Sequence, residues 1–151
     1  SDILYTCSII RQLLTSKEDV TLVCDTDWRE RYKKRTEHPE DDGEKMFVEN
    51  GVIRTINRTM SSEQASGEYI GVTRFSSKGA SSLIRAYHEA REASDGGSFY
   101  AARIFRKAYL IDLYQYMLDT GQRMTASFTT GDYLEIDTNQ DFQIARKEWT
   151  E

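Results

Sequence analysis

Two cysteines in 151 residues leave no disulfide framework to read. Cys7 and Cys24 each sit in an apolar run. That is where a reduced cysteine packs as a small hydrophobe, in a cytoplasm-like compartment. No cysteine–histidine group has zinc spacing, which leaves no basis for a structural zinc fold. The single proline, Pro39, and nine glycines rule out a Pro/Gly-rich low-complexity chain. No apolar run reaches the roughly 18 residues of a membrane span. No basic stretch followed by an apolar h-region opens the sequence. Basic residues do not predominate: net charge is −5, which disfavours a general nucleic-acid footprint. A small anionic ligand is still possible, since it needs only local donors or a metal ion.

What is present is ordinary for a globular domain. Hydrophobic residues make up 38% and charged residues 30%, and the nine tyrosines, six phenylalanines and two tryptophans argue against disorder. Ile9, Ile10, Leu13 and Leu14 recur at helical spacing behind Thr6, a candidate N-cap. Val20–Cys24 reads as a buried strand that ends in Asp25. Residues 28–35 suggest a short helix, followed by a loop over 36–44. Met46–Val48 and Val52–Ile53 flank Asn50-Gly51, a strong hairpin signal. Tyr69–Phe75 reads as a strand. The periodicity predicts helices over 77–93 and 99–119, stopped by Asp95-Gly96-Gly97 and by Gly121. Met124–Phe128 and Tyr133–Ile136 are candidate strands, and Thr138 with Asp141 resembles a helix start. Interleaved strands and helices indicate an α/β class with a mixed sheet, in a single domain over 1–151. The first residues, 1–5, read as the end of a strand, so we expect that an N-terminal segment of the fold is missing.

Several constellations could carry chemistry. Glu135 and Asp137 are two apart, which in a strand puts them on one face. Paired carboxylates repel unless a cation or proton lies between them, and such oxygens suit Mg²⁺. With Asp2 they are either a cation site or solvated surface acids. Asp25-Thr26-Asp27-Trp28, followed by Tyr32 and Arg35, begins where a strand ends. Acids with aromatics there could hold a cationic amine, and Arg35 could fork onto a phosphate. The alternative is a loop with a core tryptophan and solvated charges. His38 could act in acid–base work or merely order its loop. Glu68, at the mouth of a strand, is a ligand contact or a surface acid beside a turn. The residues Tyr100, Phe105, Tyr109, Leu113, Tyr116 and Met117 form an apolar-aromatic stripe that reads as core or as an oligomer contact.

The ordered set Ser1-Asp-Ile-Leu-Tyr5, Asp25-Thr-Asp-Trp28, Tyr32, Arg35-Thr-Glu-His-Pro39, Glu44-Lys45, Gly67-Glu-Tyr-Ile-Gly71, Phe75-Ser76, Tyr133-Leu-Glu-Ile-Asp-Thr138 and Asp141 resembles a known family. It is similar to the nucleotidyltransferase domain found alone or fused to phosphoenolpyruvate mutase, and to LicC-type phosphocholine cytidylyltransferases. The resemblance implies a Rossmann-like mixed sheet flanked by helices, with a β-hairpin insertion and without the first strands of the family fold. It implies Mg²⁺-dependent cytidylyl transfer from CTP to a phosphonate or phosphocholine-like acceptor, with pyrophosphate released. It would make Asp2, Glu135 and Asp137 the metal ligands, and Asp27, Trp28, Tyr32, Arg35 and Glu68 the lining of the acceptor pocket. Partners would be CTP and the acceptor, with no nucleic acid or membrane, and a homo-oligomer is open. Two features depart from the pattern. Nothing matches the family's Gly-rich loop, arginine and lysine that hold the triphosphate, so a complete nucleotide site is not expected within these residues. Asp41-Asp42-Gly43 stands where relatives usually carry Ser-Glu-Ala. The rival expectation is a non-catalytic module that associates through an exposed sheet edge or helix face.

Overall fold

The computed structural model describes residues 2–149. In chain order it contains β1 (Ile3–Tyr5), α1 (Cys7–Leu14), β2 (Val20–Asp25), α2 (Trp28–Tyr32), β3 (Lys45–Glu49), β4 (Val52–Asn57), β5 (Gly67–Phe75), α3 (Ser77–Ser94), α4 (Leu110–Asp119), β6 (Thr125–Thr129), β7 (Tyr133–Glu135) and α5 (Asn139–Glu148). The mixed α/β class is as the sequence predicts.

Five strands run in the order β2-β5-β3-β4-β6 and close on themselves. β2 is buried throughout, antiparallel to β5 and parallel to β6. Strand periodicity sends its side chains to two cores. Val20, Leu22 and Cys24 point to the larger one, with Met46, Ile56, Tyr69, Ala90, Tyr114 and Met117. Val23 points to a smaller one, with Ile9 and Leu13 of α1, Ile70 and Tyr133. The helices α3 and α4 therefore cover one side, and α1 covers the other.

The hairpin is part of this sheet: β3 pairs with β5, and β4 meets β6 at Val52 and Thr125. Its turn uses Asn50 at φ 52° and Gly51 at φ 75°, the positive-φ pair that a two-residue turn requires. Among the described residues these five strands close, while the β1 and β7 ribbon stands apart as a two-stranded sheet. The separate ribbon of β1 and β7 pairs Ile3 with Glu135 and Tyr5 with Tyr133.

Several local expectations need correction. The helix expected over 99–119 begins only at Leu110. Tyr100 adopts a positive φ of 47°, which interrupts a right-handed helix, and the Asp112 carboxylate accepts the Tyr109 N–H at 2.9 Å, which fixes the later start. The aromatic stripe is accordingly split: Phe105, Leu113 and Met117 are buried, while Tyr100 and Tyr109 are exposed. Cys7 is exposed rather than buried, because α1 turns Ile9 and Leu13 inward instead. Cys24 is buried, and burial beside Asp25 and Glu68 pushes its thiol up to about 12. The Thr6 side chain does not cap α1; its hydroxyl lies 2.6 Å from that of Ser8. The start of α5 is as expected, with Thr138 and Asp141 in a reciprocal capping box.

Candidate functional site

Beyond the end of β2, the short helix α2 carries two arginines, Arg31 within it and Arg35 one turn later. Each enters its own set of carboxylates, and together they form two adjacent polar centres.

The first centre is closed. Asp25 is fully buried, and its carboxylate accepts the N–H groups of Asp27 at 3.0 Å and Gly131 at 2.9 Å, as well as the Arg31 guanidinium. Arg31 also donates to Glu68 at 3.1 Å, and its guanidinium stacks 4.1 Å over the Tyr133 ring. Glu68 accepts the hydroxyls of Tyr32 at 2.6 Å and Tyr133 at 3.2 Å. Burial next to Glu68 drives both phenols well above their usual range, so they act as donors. Gly43 packs against this group: a Cβ there would lie 2.9 Å from a Glu68 carboxylate oxygen.

The second centre is open. Arg35 forks onto Asp141 at 2.8 and 3.1 Å, reaches Asp137 at 3.0 Å and Glu135 at 3.5 Å, and lies 2.9 Å from His38 Nδ1. Burial opposes the Arg35 charge, but the Asp141 fork raises its pKa above the ordinary value. Asp141 is held low by Arg35 and Thr138 in spite of its own burial. Glu135 behaves oppositely. Burial, then Asp137, then Glu68 push its carboxyl up to about 7, although Arg35 pulls it down. The Thr36 and Glu37 N–H groups donate to Gln140 on α5, which holds the loop carrying His38 in place.

Two cavities flank Glu135. One, of about 260 Å³, is lined by Asp27, Arg31, Lys34, Arg35, Asp141 and Glu148 among others. The other, of about 160 Å³, is lined by Asp2, Tyr32, His38, Asp42, Glu44, Arg58, Glu68 and Tyr69 among others. Five acids, Asp2, Asp42, Glu44, Glu68 and Glu135, line it against the single arginine Arg58. Glu44 is pushed up to about 7, chiefly by burial, then by Glu68 and Asp112, against the pull of Arg58.

The structure thus distributes the sequence-predicted residues unevenly. Tyr32 and Glu68 line the smaller cavity, and Asp27 and Arg35 line the larger one. Trp28 is only 2% exposed and lines neither. It packs edge-on against Tyr32. Arg35 already has carboxylate partners, so it is not a free anion clamp. Asp137 lies past the end of β7, and Arg35 rather than strand periodicity brings it beside Glu135. Asp2 stands opposite, its carbonyl accepting the Ile136 N–H at 2.8 Å. Arg31, Asp42, Glu44 and Arg58 were not singled out from sequence as side chains of a site. The spacing of Arg31 and Arg35, four residues apart in a helical segment, is a signal that both reach the same side.

Among the described residues, His38, Glu135 and Asp137 offer ligand atoms all within 4.8 Å of one another. Two oxygens and an imidazole nitrogen, two of the three donors being carboxylates with excess negative charge around them, fit a divalent cation.

No family model matches the chain. It is 26% identical over 145 residues to the CTP:phosphoglutamine cytidylyltransferase of Campylobacter jejuni, covering 95% of this chain and 56% of that protein. Among solved structures it is similar to a Bacillus anthracis protein described as a glucose-1-phosphate thymidylyltransferase, crystallised with sucrose (TM-score 0.62, 13% identity, 97% of this chain and 50% of that one). It is also similar to the inositol-1-phosphate CTP transferase of T. maritima (TM-score 0.60, 18% identity, 93% and 48%). At those identities the structural likeness speaks for the fold. The chain spans about half the length of the relatives it matches. No described helix is long and apolar enough to cross a membrane.

Proposed function

Taking as premise the nucleotidyltransferase family that these relatives support, we propose that the chain carries the acceptor side and metal side of a Mg²⁺-dependent cytidylyl transfer from CTP to a small phosphorylated or phosphonate acceptor. The observation that carries this reading is the convergence of Glu135, Asp137 and His38 beside an acid-lined cavity. In the reaction an acceptor oxyanion attacks the α-phosphorus of CTP. A new P–O bond forms, the bond to the β-phosphate oxygen breaks, and pyrophosphate leaves. A bound divalent cation would neutralise the charge that two anions bring together. Glu135 and Asp137 would hold it, with Asp2 just before the facing strand β1 of the ribbon.

The chain's own residues then have separate tasks. Arg35, locked to Asp141, sets the spacing of Glu135 and Asp137 and keeps them from repelling one another apart. The smaller cavity favours an acceptor with a cationic end. Asp42, Glu44 and Glu68 supply negative charge, and Tyr32 and Tyr69 supply aromatic walls. The relative acting on phosphoglutamine supports an acceptor that joins a phosphoryl group to a small nitrogen-bearing body. Transfer by these 151 residues alone is not expected, because none of them is assigned to hold the triphosphate.

The test is a CTP assay on the protein together with the rest of its nucleotidyltransferase domain, following pyrophosphate release and the cytidylylated product by mass spectrometry. Product should form from a phosphonate or phosphorylated amine, stop on chelation with EDTA, and fall about 100-fold or more in Asp137→Ala. Full activity in Asp137→Ala would remove the metal assignment.

A further inference from the structure

We infer that the face around Tyr109 and Leu110 is a two-fold interface that pairs this chain with a second copy of itself, independently of the transfer reading above. The centre of that face is apolar. A basic loop flanks it on one side and an acidic turn on the other.

The basic flank is the segment between α3 and α4. Residues 96–111 contain Arg103, Arg106 and Lys107 and no acid, in a chain of net charge −5. Two buried rings anchor it: Phe99 and Phe105 lie 5.1 Å apart, and Tyr87 of α3 packs 5.4 Å from Phe105. The Phe99 and Ala102 N–H groups each donate to the other's carbonyl at 2.9 Å, and the Phe105 N–H donates to the Gly97 carbonyl at 2.9 Å. So fixed, the segment turns Tyr100 and Ile104 outward at 46% and 40% exposure, and Tyr109 and Leu110 at 53% and 52%. The acidic flank is the turn before β3. Residues 36–44 hold Glu37, Glu40, Asp41, Asp42 and Glu44 and no lysine or arginine. The buried Lys45 ammonium donates to the carbonyls of Asp41 at 3.0 Å, Gly43 at 3.4 Å and Arg58 at 3.1 Å. Arg58 Nε donates to the Asp42 carbonyl at 2.8 Å. The main chain is thus held from within, and the Asp41 and Asp42 side chains are left exposed. Arg58 also joins the two flanks, because its guanidinium stacks 4.7 Å over the Tyr109 ring.

Charge selects the occupant. Among the described residues, Arg103, Arg106, Lys107, Asp41 and Asp42 form no ion pair. Both flanks are short of partners, and they border one another without pairing. A two-fold contact is self-complementary: each patch meets its complement on the other copy. A dyad near Tyr109 lays the basic loop of each copy on the acidic turn of the other, and buries Tyr109 and Leu110 between them. Both flanks are already ordered, so little conformational freedom is lost on pairing. Asp42 also lines the smaller cavity, so the basic loop of one copy reaches the rim of the other's cavity.

The test is sedimentation velocity on the full chain, with charge reversal on each flank. At micromolar concentration the wild type should sediment at twice the 17.5 kDa of one chain. Arg106→Glu with Lys107→Glu should weaken the dimer about 100-fold or more, and so should Asp41→Lys with Asp42→Lys, because each sets like charges across the dyad. Mixing the two double variants sets opposite charges on both flanks and should restore a dimer. Hydrogen exchange on the wild type needs no variant, so it decides the question even if a variant folds poorly. Amides of residues 40–44 and 100–110 should gain protection as concentration rises through the dissociation constant. A chain that stays monomeric, with exchange in those segments independent of concentration, overturns the inference. A dimer that survives both reversals, or reversed variants that do not pair when mixed, overturns it as well, since the copies then meet through another surface or register. Protection of 100–110 only in a protein that includes the rest of the nucleotidyltransferase domain, without dimer, would assign the face to that segment instead of a second copy.

Discussion

The two arginine centres at the end of β2 use the same chemistry and reach opposite results. Arg31 meets Asp25 and Glu68, and every remaining carboxylate oxygen contact in that centre is filled by a phenol or a backbone N–H. Arg35 meets Glu135, Asp137 and Asp141, three carboxylates for one guanidinium. Asp141 alone of these is fully satisfied, by the fork and by its capping role at α5. In the first centre the carboxylates are matched by donors of the protein itself, and Glu68 and Tyr32 reach the smaller cavity as part of its wall. The second has surplus negative charge at a partly exposed position, and a histidine placed between a donor and an acceptor. Buried acid is therefore not what marks a functional site here; acid left short of partners is.

Breaking the closed centre should have the largest effect. Asp25→Ala strands the Arg31 charge and the N–H groups of Asp27 and Gly131, and should cost about 3–5 kcal/mol in urea unfolding. A loss under 1 kcal/mol would mean that this network does not hold β2, α2 and the 131–133 turn together.

A middle-sized effect tests the acidic cavity. The Glu44 carboxyl is raised from 4.5 to about 7. Between those values the folded protein holds more protons than the unfolded chain, so stability falls as pH rises through that window. The cost is absent below about pH 4.5 and complete above about pH 7. Glu44→Gln should then raise Tm at pH 8 by a few degrees, about 2–4 °C per kcal/mol recovered, and change it little at pH 4.5. The groups facing Glu44 are Arg58, Glu68 and Asp112, so the same profile in Asp112→Asn would separate their contributions. Equal shifts at both pH values would show that Glu44 is not held in its protonated form.

The smallest effect belongs to charge outside both centres. Lys34 and Glu148 pair at 2.9 Å with both side chains about half exposed. Lys34→Ala should change stability by no more than about 0.5 kcal/mol. A larger loss would mean that α5 depends on this contact rather than on its capping box.

The sequence already carried much of this architecture. The hairpin, the start of α3 at Ser77 and the α5 capping box were legible because local chemistry decides them; the Ser76 hydroxyl that accepts the Gly79 N–H is a cap the structure adds. The failed helix over 99–109 was not, because its apolar spacing fits a helix while a positive φ at Tyr100 and the Asp112 cap oppose it. Glu135, Asp137 and Glu68 were legible as candidates by residue type. Which arginine they would meet was not, because Arg31 and Arg35 lie about 100 residues away from β7, and only the fold brings them together. Trp28 looked like a platform for a ligand and is core, a distinction that burial makes and composition does not. His38 was weighed as a loop histidine, with nothing nearby in sequence to pair it with Asp137.

The most direct measurement is thermal unfolding with and without divalent cation, in wild type and in Asp137→Ala. The account predicts that Mg²⁺ or Mn²⁺ at about 100 times its dissociation constant stabilises the wild type by about 2.7 kcal/mol. The same ion should do nothing for Asp137→Ala. Equal stabilisation of both proteins, or of neither, would contradict the assignment of the open centre as a cation site.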